Sequence, residues 1–379
     1  MMPGSAQGFD VAVIGGGLHG LTAALSLARA GRSVVIIERN WIGRHASSAT
    51  AAGVRTLGRD IAEVPISLES MDMWHRISRI VGDDCGFVSH GQFKVAEFDS
   101  HMPALEERQA KMRSLGYDHE QMIDAAELRR LVPSLSPHCV GALVAHKDGA
   151  ADPHRTIAAF RSACERVGVT IVEGCGVEAV ERAGADWLLR CGSRSFRAPA
   201  VINTAGAWAA RVAALFGEVI ELGVRASMMM ATERLAPFLG PVVSVVGRAL
   251  SFKQSDQGTL VIGGGLQGAA DIDRQRSSVN FVELAKGARA SSDLFPIVRG
   301  VRIARCWTGI EAQTRDHLPV IGASPEKPGL FHSFGYSGHG FQLVPVLGEI
   351  MRDLVLDQKT NRSIAAFAPT RLMQGKHAA

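Results

Sequence analysis

The 379-residue chain lacks several features that would assign it to a class at once. Its six cysteines form no CxxC pair. Neither a zinc site nor any other metal site nor a disulfide frame is expected, and a reducing cytoplasm is the simplest home. No apolar stretch is long enough to span a bilayer. Val11 to Ala28 has the look of a signal-peptide core, but no basic region precedes it and it carries four glycines and a histidine. Within a net charge of +4 no basic block stands out, so nucleic acid is not an expected partner. Tyrosine occurs only twice. What is present is 46% hydrophobic and 21% charged residues, the balance of a folded globular chain long enough for two domains.

The strongest positive signal is at the start. Val11-Ala12-Val13-Ile14 is an apolar run, Gly15-Gly16-Gly17-Leu18-His19-Gly20 follows it, Leu21 to Ala30 reads as a helix, and a second apolar run ends at Glu38. Strand, glycine turn, helix, strand and acid in this order predict a dinucleotide-binding unit. Gly15 permits the sharp turn, Gly17 leaves room for a pyrophosphate, and Gly20 lets the helix lie on the strand. The helix N-terminus offers free N–H groups to phosphates. Glu38, about 20 residues on, would accept ribose hydroxyls.

Beyond this unit lies a small-residue loop, His45 to Gly53, and Ile66 to Val81 then reads as a helix. Gln92 to Val95 reads as a strand among two charged helices. Ala151 to Val167 is helical and Thr170 to Glu173 a strand. Val177 to Val180 and Trp187 to Leu189 suggest an antiparallel ribbon. Ala200 to Gly206 is a buried strand ending in glycine, the pattern of a parallel strand meeting a ligand. Residues 220 to 312 look dominated by strands, and a last helix covers Leu343 to Leu356. The expected architecture is α/β: a discontinuous Rossmann-like domain (residues 1–90, 145–215 and 315–379) and an α+β substrate domain on a mostly antiparallel sheet (91–144 and 216–314). Val261 to Gly268 nearly repeats the opening motif, but the residues after it lack a helix's apolar face, so a strand end and loop are expected there.

Four more segments, VINTAGAW (201–208), WTGIEAQTRDHLPVIG (307–322), GYSGHGFQ (335–342) and PVLGE (345–349), complete an ordered pattern over essentially the whole chain. With the opening motif they resemble the FAD-dependent D-amino acid oxidase superfamily, on its sarcosine and glycine oxidase branch. The loop Ala51 to Arg59 and the helix after it are similar to β subunits of heteromeric opine, hydroxyproline and proline dehydrogenases. The resemblance implies FAD held by Gly15, Gly17, Gly20 and Glu38, with Arg39 beside the adenosine and the backbone of Val177 at the adenine. It places Ser47, Ser48, Ala52 and Gly53 along the ribityl chain and flavin, Thr204 and Gly206 near the pyrophosphate, and Gly338, His339, Gly340, Phe341 and Gln342 at the pyrimidine end.

Departures from the family pattern matter equally. The cysteine that carries covalent flavin in monomeric sarcosine oxidases matches Gly309, with Cys306 upstream, and the histidine used by dimethylglycine dehydrogenase relatives matches Thr50. Dissociable FAD is therefore implied. The FMN-bearing histidine of heterotetrameric sarcosine oxidases falls near Pro153, beside His154, so an additional FMN at a subunit interface would be non-covalent. The oxygen-activating lysine falls at Val261, which implies a dehydrogenase, and the carboxylate-gripping lysine at Gln342.

The implied chemistry is hydride transfer from the carbon beside a neutral amine, acting on a secondary-amine amino acid such as hydroxyproline, proline or an opine. Arg55 is the candidate for the substrate carboxylate, His339 and Gln342 for positioning, and Tyr336 for a pocket hydroxyl. Each has a plainer alternative: a surface arginine, a structural histidine, a packed tyrosine, and for His154 a solvated helix start. Met228-Met229-Met230 is read as core filling rather than as a substrate wall. The expected partners are an α-type subunit and a small iron–sulfur or FAD-containing subunit, in the cytoplasm, with peripheral inner-membrane association through electron transfer as an option. Two further readings stay open: a stand-alone oxidase producing peroxide, and an inactive flavin-holding assembly subunit.

Overall fold

The computed structural model describes residues 6–373. Its centre is the Val11–Ile14 strand, buried at every residue and paired in parallel with Val34–Ile37 on one side and Ala200–Asn203 on the other. From edge to edge the sheet runs Val320–Ala323, Leu330–Phe334, Ala200–Asn203, Val11–Ile14, Val34–Ile37 and Thr170–Val172, parallel except for the first. Alternation along the central strand decides what each face meets. Val11 and Val13 pack under the helices Leu18–Arg29, Pro153–Arg166 and Gly340–Asp357. Ala12 and Ile14 pack on the other side with Trp187, Leu189 and Phe196. Those three belong to a four-stranded sheet in which Ala179–Ala183, Asp186–Cys191 and Arg194–Ala198 are antiparallel and Gln7–Gly8 adds a parallel edge, so the expected ribbon gains two strands.

Leu18–Arg29 and Gly340–Asp357 cross closely. A Cβ on Gly348 would stand 2.5 Å from the Thr22 hydroxyl and 2.6 Å from that of Ser26. Glycine is required there for contact, not for backbone conformation.

A second sheet of eight strands interleaves two stretches of chain. Its order is Ile303–Gln313, Gly223–Arg234, Thr259–Gly263, Ser251–Gln254, Val242–Val245, Gln92–Ala96, Gly141–Ala145 and Gln121–Asp124. Every pair is antiparallel except Val242–Val245 with Gln92–Ala96. One face carries Phe93, Met228, Met230 and Phe252 into a core closed by Leu284 and Leu294. The alternate residues Lys94, Arg225, Ser227 and Met229 line a cavity on the other face. Met228 and Met230 thus fill the core as expected, while Met229 is a cavity wall.

The expected helix over 66–81 is two helices, Val64–Trp74 and Ile77–Val81. The break at His75 and Arg76 leaves the Trp74 indole pinned to the Gln342 carbonyl at 2.7 Å while Ile77 and Val81 still reach the same core. Within 220–312, a stretch that reads as dominated by strands, stands a helix, Phe281–Leu294. Its signal is Asn280, whose side chain accepts from the Val282 and Glu283 backbone, the N-cap that precedes a buried 284/287/291/294 stripe. After Thr259–Gly263 comes a hairpin, Ala269–Asp271 with Arg276–Ser278, and no helix, so the second glycine cluster lacks a phosphate-binding terminus.

Replacing Gly348 with alanine is expected to destabilise the fold by about 1–3 kcal/mol through overpacking. Gly8, which has nothing within 4 Å of a would-be Cβ, is the control whose alanine variant should stay within about 0.5 kcal/mol. Urea titration of the two variants measures the contrast.

Candidate cofactor and substrate site

The carboxyl ends of the parallel strands open onto a cavity of about 670 Å³. Gly15, with φ +110°, turns the chain there; a Cβ on it would lie 2.6 Å from the Thr204 carbonyl oxygen. The Thr204 hydroxyl donates to the carbonyls of Ile14 (3.1 Å) and Gly15 (2.9 Å) and so ties two strand ends together. Gly20 sits under this contact and is a packing residue: a Cβ on it would collide with the Gly15 carbonyl and the Thr204 hydroxyl. Gly17 precedes the first helix, and Leu18 N–H donates to Ser47 Oγ at 3.1 Å. No acidic side chain occupies that helix's first turn. A helix N-terminus open to a cavity in this way suits an anion.

Glu38 closes the turn from the other side. One carboxylate oxygen accepts from Gly16 N–H and the other from Asn40 N–H, both at 2.7 Å, and each keeps lone-pair capacity for a hydroxyl. Arg39 lies over the Trp208 ring at 4.5 Å, with Val177 lining the same end. Trp208 is a contributor that the sequence did not single out, although it closes the VINTAGAW segment.

The opposite end is the turn from Ser337 (φ +50°) and Gly338 (φ +90°) into the 18-residue helix Gly340–Asp357. Gly338, His339, Gly340 and Phe341 all line the cavity, as do Thr204, Gly206, Gly53 and Ser47. His339 Nε2 is 2.9 Å from Glu63. Burial lowers the His339 pKa, leaving the ring neutral at neutral pH. Burial alone would raise Glu63, but His339 and the charges of Arg59 and Arg55 pull it below the usual range. The Tyr336 ring stacks on His19 at 3.8 Å and lines the cavity, while its hydroxyl is engaged by Ser333 at 2.6 Å. His19, missed in the sequence, is a neutral ring whose pKa burial lowers to about 3.

Besides Gly20, three expected site residues are placed elsewhere. Gln342 is wholly buried: its amide donates to the Ser67 carbonyl (2.8 Å), its side-chain oxygen accepts from Ser67 (3.1 Å) and Arg59 (3.4 Å), and its carbonyl accepts from Ser70 (2.6 Å) and Trp74. It locks the last helix to Val64–Trp74 and does not face the cavity. Ser48 lines a second cavity instead. Ala52 is fully buried; its φ of +52° shapes the loop, and its N–H donates to Thr50 Oγ1 at 3.0 Å.

Arg55 does line the cavity and donates to the Leu57 carbonyl at 2.7 Å. Its neighbour Arg59, four residues on in the same loop, was overlooked. Arg59 donates to the carbonyls of Arg55 (3.1 Å) and His339 (3.1 Å), yet its Nη1 is buried without a partner among the described residues. Burial, then the charge of Arg55, push its pKa down to about 9. The loop is held by Asp148, which accepts from Thr56 N–H (2.8 Å), the Thr56 hydroxyl (2.7 Å) and Leu57 N–H (2.9 Å). Burial raises this carboxyl to about 6.

The second cavity, about 520 Å³, is rimmed by Arg44, His154, Lys253, Arg276 and Arg305. Lys253 stands directly across the strand pair from Val261 and donates to the Ala151 carbonyl at 3.3 Å; burial lowers its pKa to about 8.

Residues 10–354 match the family described as FAD dependent oxidoreductase, DAO. The chain belongs to that family. Its cofactor is FAD, and it is an FAD-dependent oxidoreductase of mixed α/β fold. Among relatives, glycine oxidase of Geobacillus kaustophilus is 27% identical over 372 residues, covering 96% of this chain and 97% of that protein. One opine oxidase polypeptide, from Rhizobium meliloti, is 24% identical, covering 87% and 89%. The crystal structure of the Geobacillus kaustophilus glycine oxidase superposes with a TM-score of 0.89 at 25% identity, over 99% of this chain and 100% of that one. The residues present fit FAD: a helix terminus with no acid in its first turn opens onto the cavity, and beside it the Glu38 carboxylate keeps lone-pair capacity for a ribose hydroxyl.

Replacing Gly17 with valine places carbon within 3.2 Å of Ser47 Oγ and in the approach to the helix terminus. FAD affinity is expected to fall at least about tenfold, or 1.4 kcal/mol, with the far-ultraviolet spectrum unchanged. Flavin-to-protein absorbance after gel filtration reads this directly.

Proposed function

We propose that the chain oxidises the C–N bond of a secondary-amine amino acid, of the hydroxyproline, proline or opine type, as the catalytic β-type subunit of a heteromeric dehydrogenase. The observation that carries this is Arg59. Its buried Nη1, unpartnered among the described residues and beside Arg55 and the His339 carbonyl, calls for an anionic acceptor, and a substrate carboxylate meets that need. FAD, when bound, supplies the acceptor for the hydride. Gly15, Gly17, Ser47, Glu38 and Thr204 would hold its phosphates and ribose, and Gly338 to Phe341 would face the flavin. Arg55 and Arg59 orient the acid; neutral His339, fixed by Glu63, shapes the wall beside them.

The same reading takes the FAD as non-covalent. Gly309 and Thr50 offer no cysteine or histidine, and Cys306 packs against the second sheet's core. It also assigns residues 1–90, 145–215 and 315–379 to the FAD-binding domain and the rest to the substrate domain. Relatives named as subunits of sarcosine oxidase and of opine oxidase favour α-type and small iron–sulfur or FAD-containing partners here too. The cation-rimmed second cavity, with His154 on it, suits a phosphorylated flavin such as FMN at an interface. Among the described residues no helix is long and apolar enough to cross a membrane. The six free cysteines suit a reducing compartment, and we take it to be the cytoplasm.

One observation favours the stand-alone oxidase instead. Val261 carries no charge, but Lys253 opposite it restores a buried cation on that wall. Oxygen consumption separates the readings: a dehydrogenase reduced anaerobically by its substrate reoxidises slowly in air, whereas an oxidase returns stoichiometric peroxide at once.

Anaerobic addition of D- and L-hydroxyproline, proline, sarcosine and opines should bleach the flavin band with one class of substrate. Arg59→Met should then raise the substrate dissociation constant by roughly 10- to 100-fold while FAD content holds. An unchanged constant in that variant, and in Arg55→Ala, would remove the carboxylate role from this loop.

A further inference from the structure

The arginine pair accounts for an acid but leaves the cavity's other polar wall unused. On that wall Arg225 and Glu311 stand directly opposite each other in neighbouring antiparallel strands, and Ser227 lies two residues along. All three line the larger cavity. The Glu311 side chain is only 14% exposed, yet its carboxylate is half engaged. Ser227 Oγ donates to Oε1, and Arg225 Nε lies 3.4 Å from that same oxygen. Oε2 has no partner among the described residues. The carboxylate also leans on the flavin-facing turn: a Cβ on Gly338 would lie 3.5–3.6 Å from its oxygens.

Burial raises the Glu311 pKa above the ordinary carboxylate value, and Ser227 and Arg225 oppose that rise without cancelling it. From the adjoining loop the neutral amide of Gln267 reaches Ser227 at 3.5 Å, and His339 on the turn is tied to Glu63. Arg225 is therefore the charge beside the carboxylate, its Nε near one oxygen but without a hydrogen-bond partner among the described residues. A carboxyl group in a confined site, with one oxygen free, recognises a positively charged N–H donor, whose charge favours the carboxylate form.

We propose that Glu311, held by Ser227 and Arg225, is the anchor for the substrate's nitrogen: an amino acid enters as the zwitterion, acid at the Arg55–Arg59 loop and ammonium at Glu311, and the free Oε2 takes one proton from that ammonium, so that the amine beside the hydride-donating carbon is neutral. This rests on the amine-oxidising reading and adds to it a specificity role for Glu311. The pocket would then reject acids of the same shape that lack the charged nitrogen.

The test uses holoenzyme whose flavin has been reduced with dithionite, so that nothing turns over. Calorimetry compares L- and D-proline with tetrahydrofuran-2-carboxylate, in which oxygen replaces the NH2+ group. The wild type is expected to prefer proline of one hand. Glu311→Gln, which keeps the shape and the Ser227 contact, should weaken proline roughly 10- to 100-fold and leave the ether acid unchanged; Ser227→Ala should have a smaller effect of the same kind. Equal losses for both ligands, or no loss for proline, would overturn the assignment while leaving the amine-oxidising reading in place. Failure of the wild type to bind either hand of proline, sarcosine or an opine would bring down that reading and the Glu311 assignment with it. Flavin content and melting temperature of each variant separate lost binding from lost folding.

Discussion

The close approach of Gly15 to Thr204 sets the geometry on which the rest depends. Two parallel strands end side by side, and the chain leaves one of them through a turn with φ +110° that no side chain could share with the Thr204 carbonyl. Because that contact is so tight, the first helix must start beside it, Ser47 must cap the approach, and Glu38 can reach back to Gly16. Each of these is a hydrogen bond or a van der Waals contact of ordinary strength. Together they hold an anion-binding helix end, a ribose-binding acid and a strand end around one volume.

The substrate half is built by a different rule. In the eight-stranded sheet the two-residue period sends Phe93, Met228 and Met230 into a core and Lys94, Arg225, Ser227 and Met229 into the cavity. The sheet thus needs no loops to place its polar wall. The loop Arg55 to Arg59 comes from the other side, held by a buried aspartate, and brings two arginines to the same space. Two like charges so near each other lower one another's proton affinity, which is part of why Arg59 lies well below its ordinary value.

Much of this could be read in the sequence because it is local. A strand, three glycines, a helix and an acid are contiguous, and their steric reasons act over a few residues. The parallel sheet followed from continuous apolar runs such as Val11–Ile14 and Ala200–Asn203. What could not be read was long-range. Gln342 looked like a pocket residue because it follows the GHGF turn, yet its partners Ser67, Ser70 and Trp74 lie some 270 residues away and turn it into a lock. Arg59 looked ordinary until its burial was known. The helix Phe281–Leu294 did carry an Asn280 cap and a Glu283, but strands on both sides masked it.

The three consecutive methionines show what the period-2 rule imposes on change. Sliding Gly223–Arg234 by one residue against Ile303–Gln313 would bury Met229 and push Met228 and Met230 into the cavity. It would also turn Arg225 and Ser227 toward the core and part them from Glu311. Between Gly223 and Ala231, where the pairing stays in register before the shift at Thr232, insertions and deletions are therefore closed to the protein as routes to a new pocket, and the recognition wall can be rewritten only by point substitution, one alternate position at a time, leaving the residues between them to hold the core.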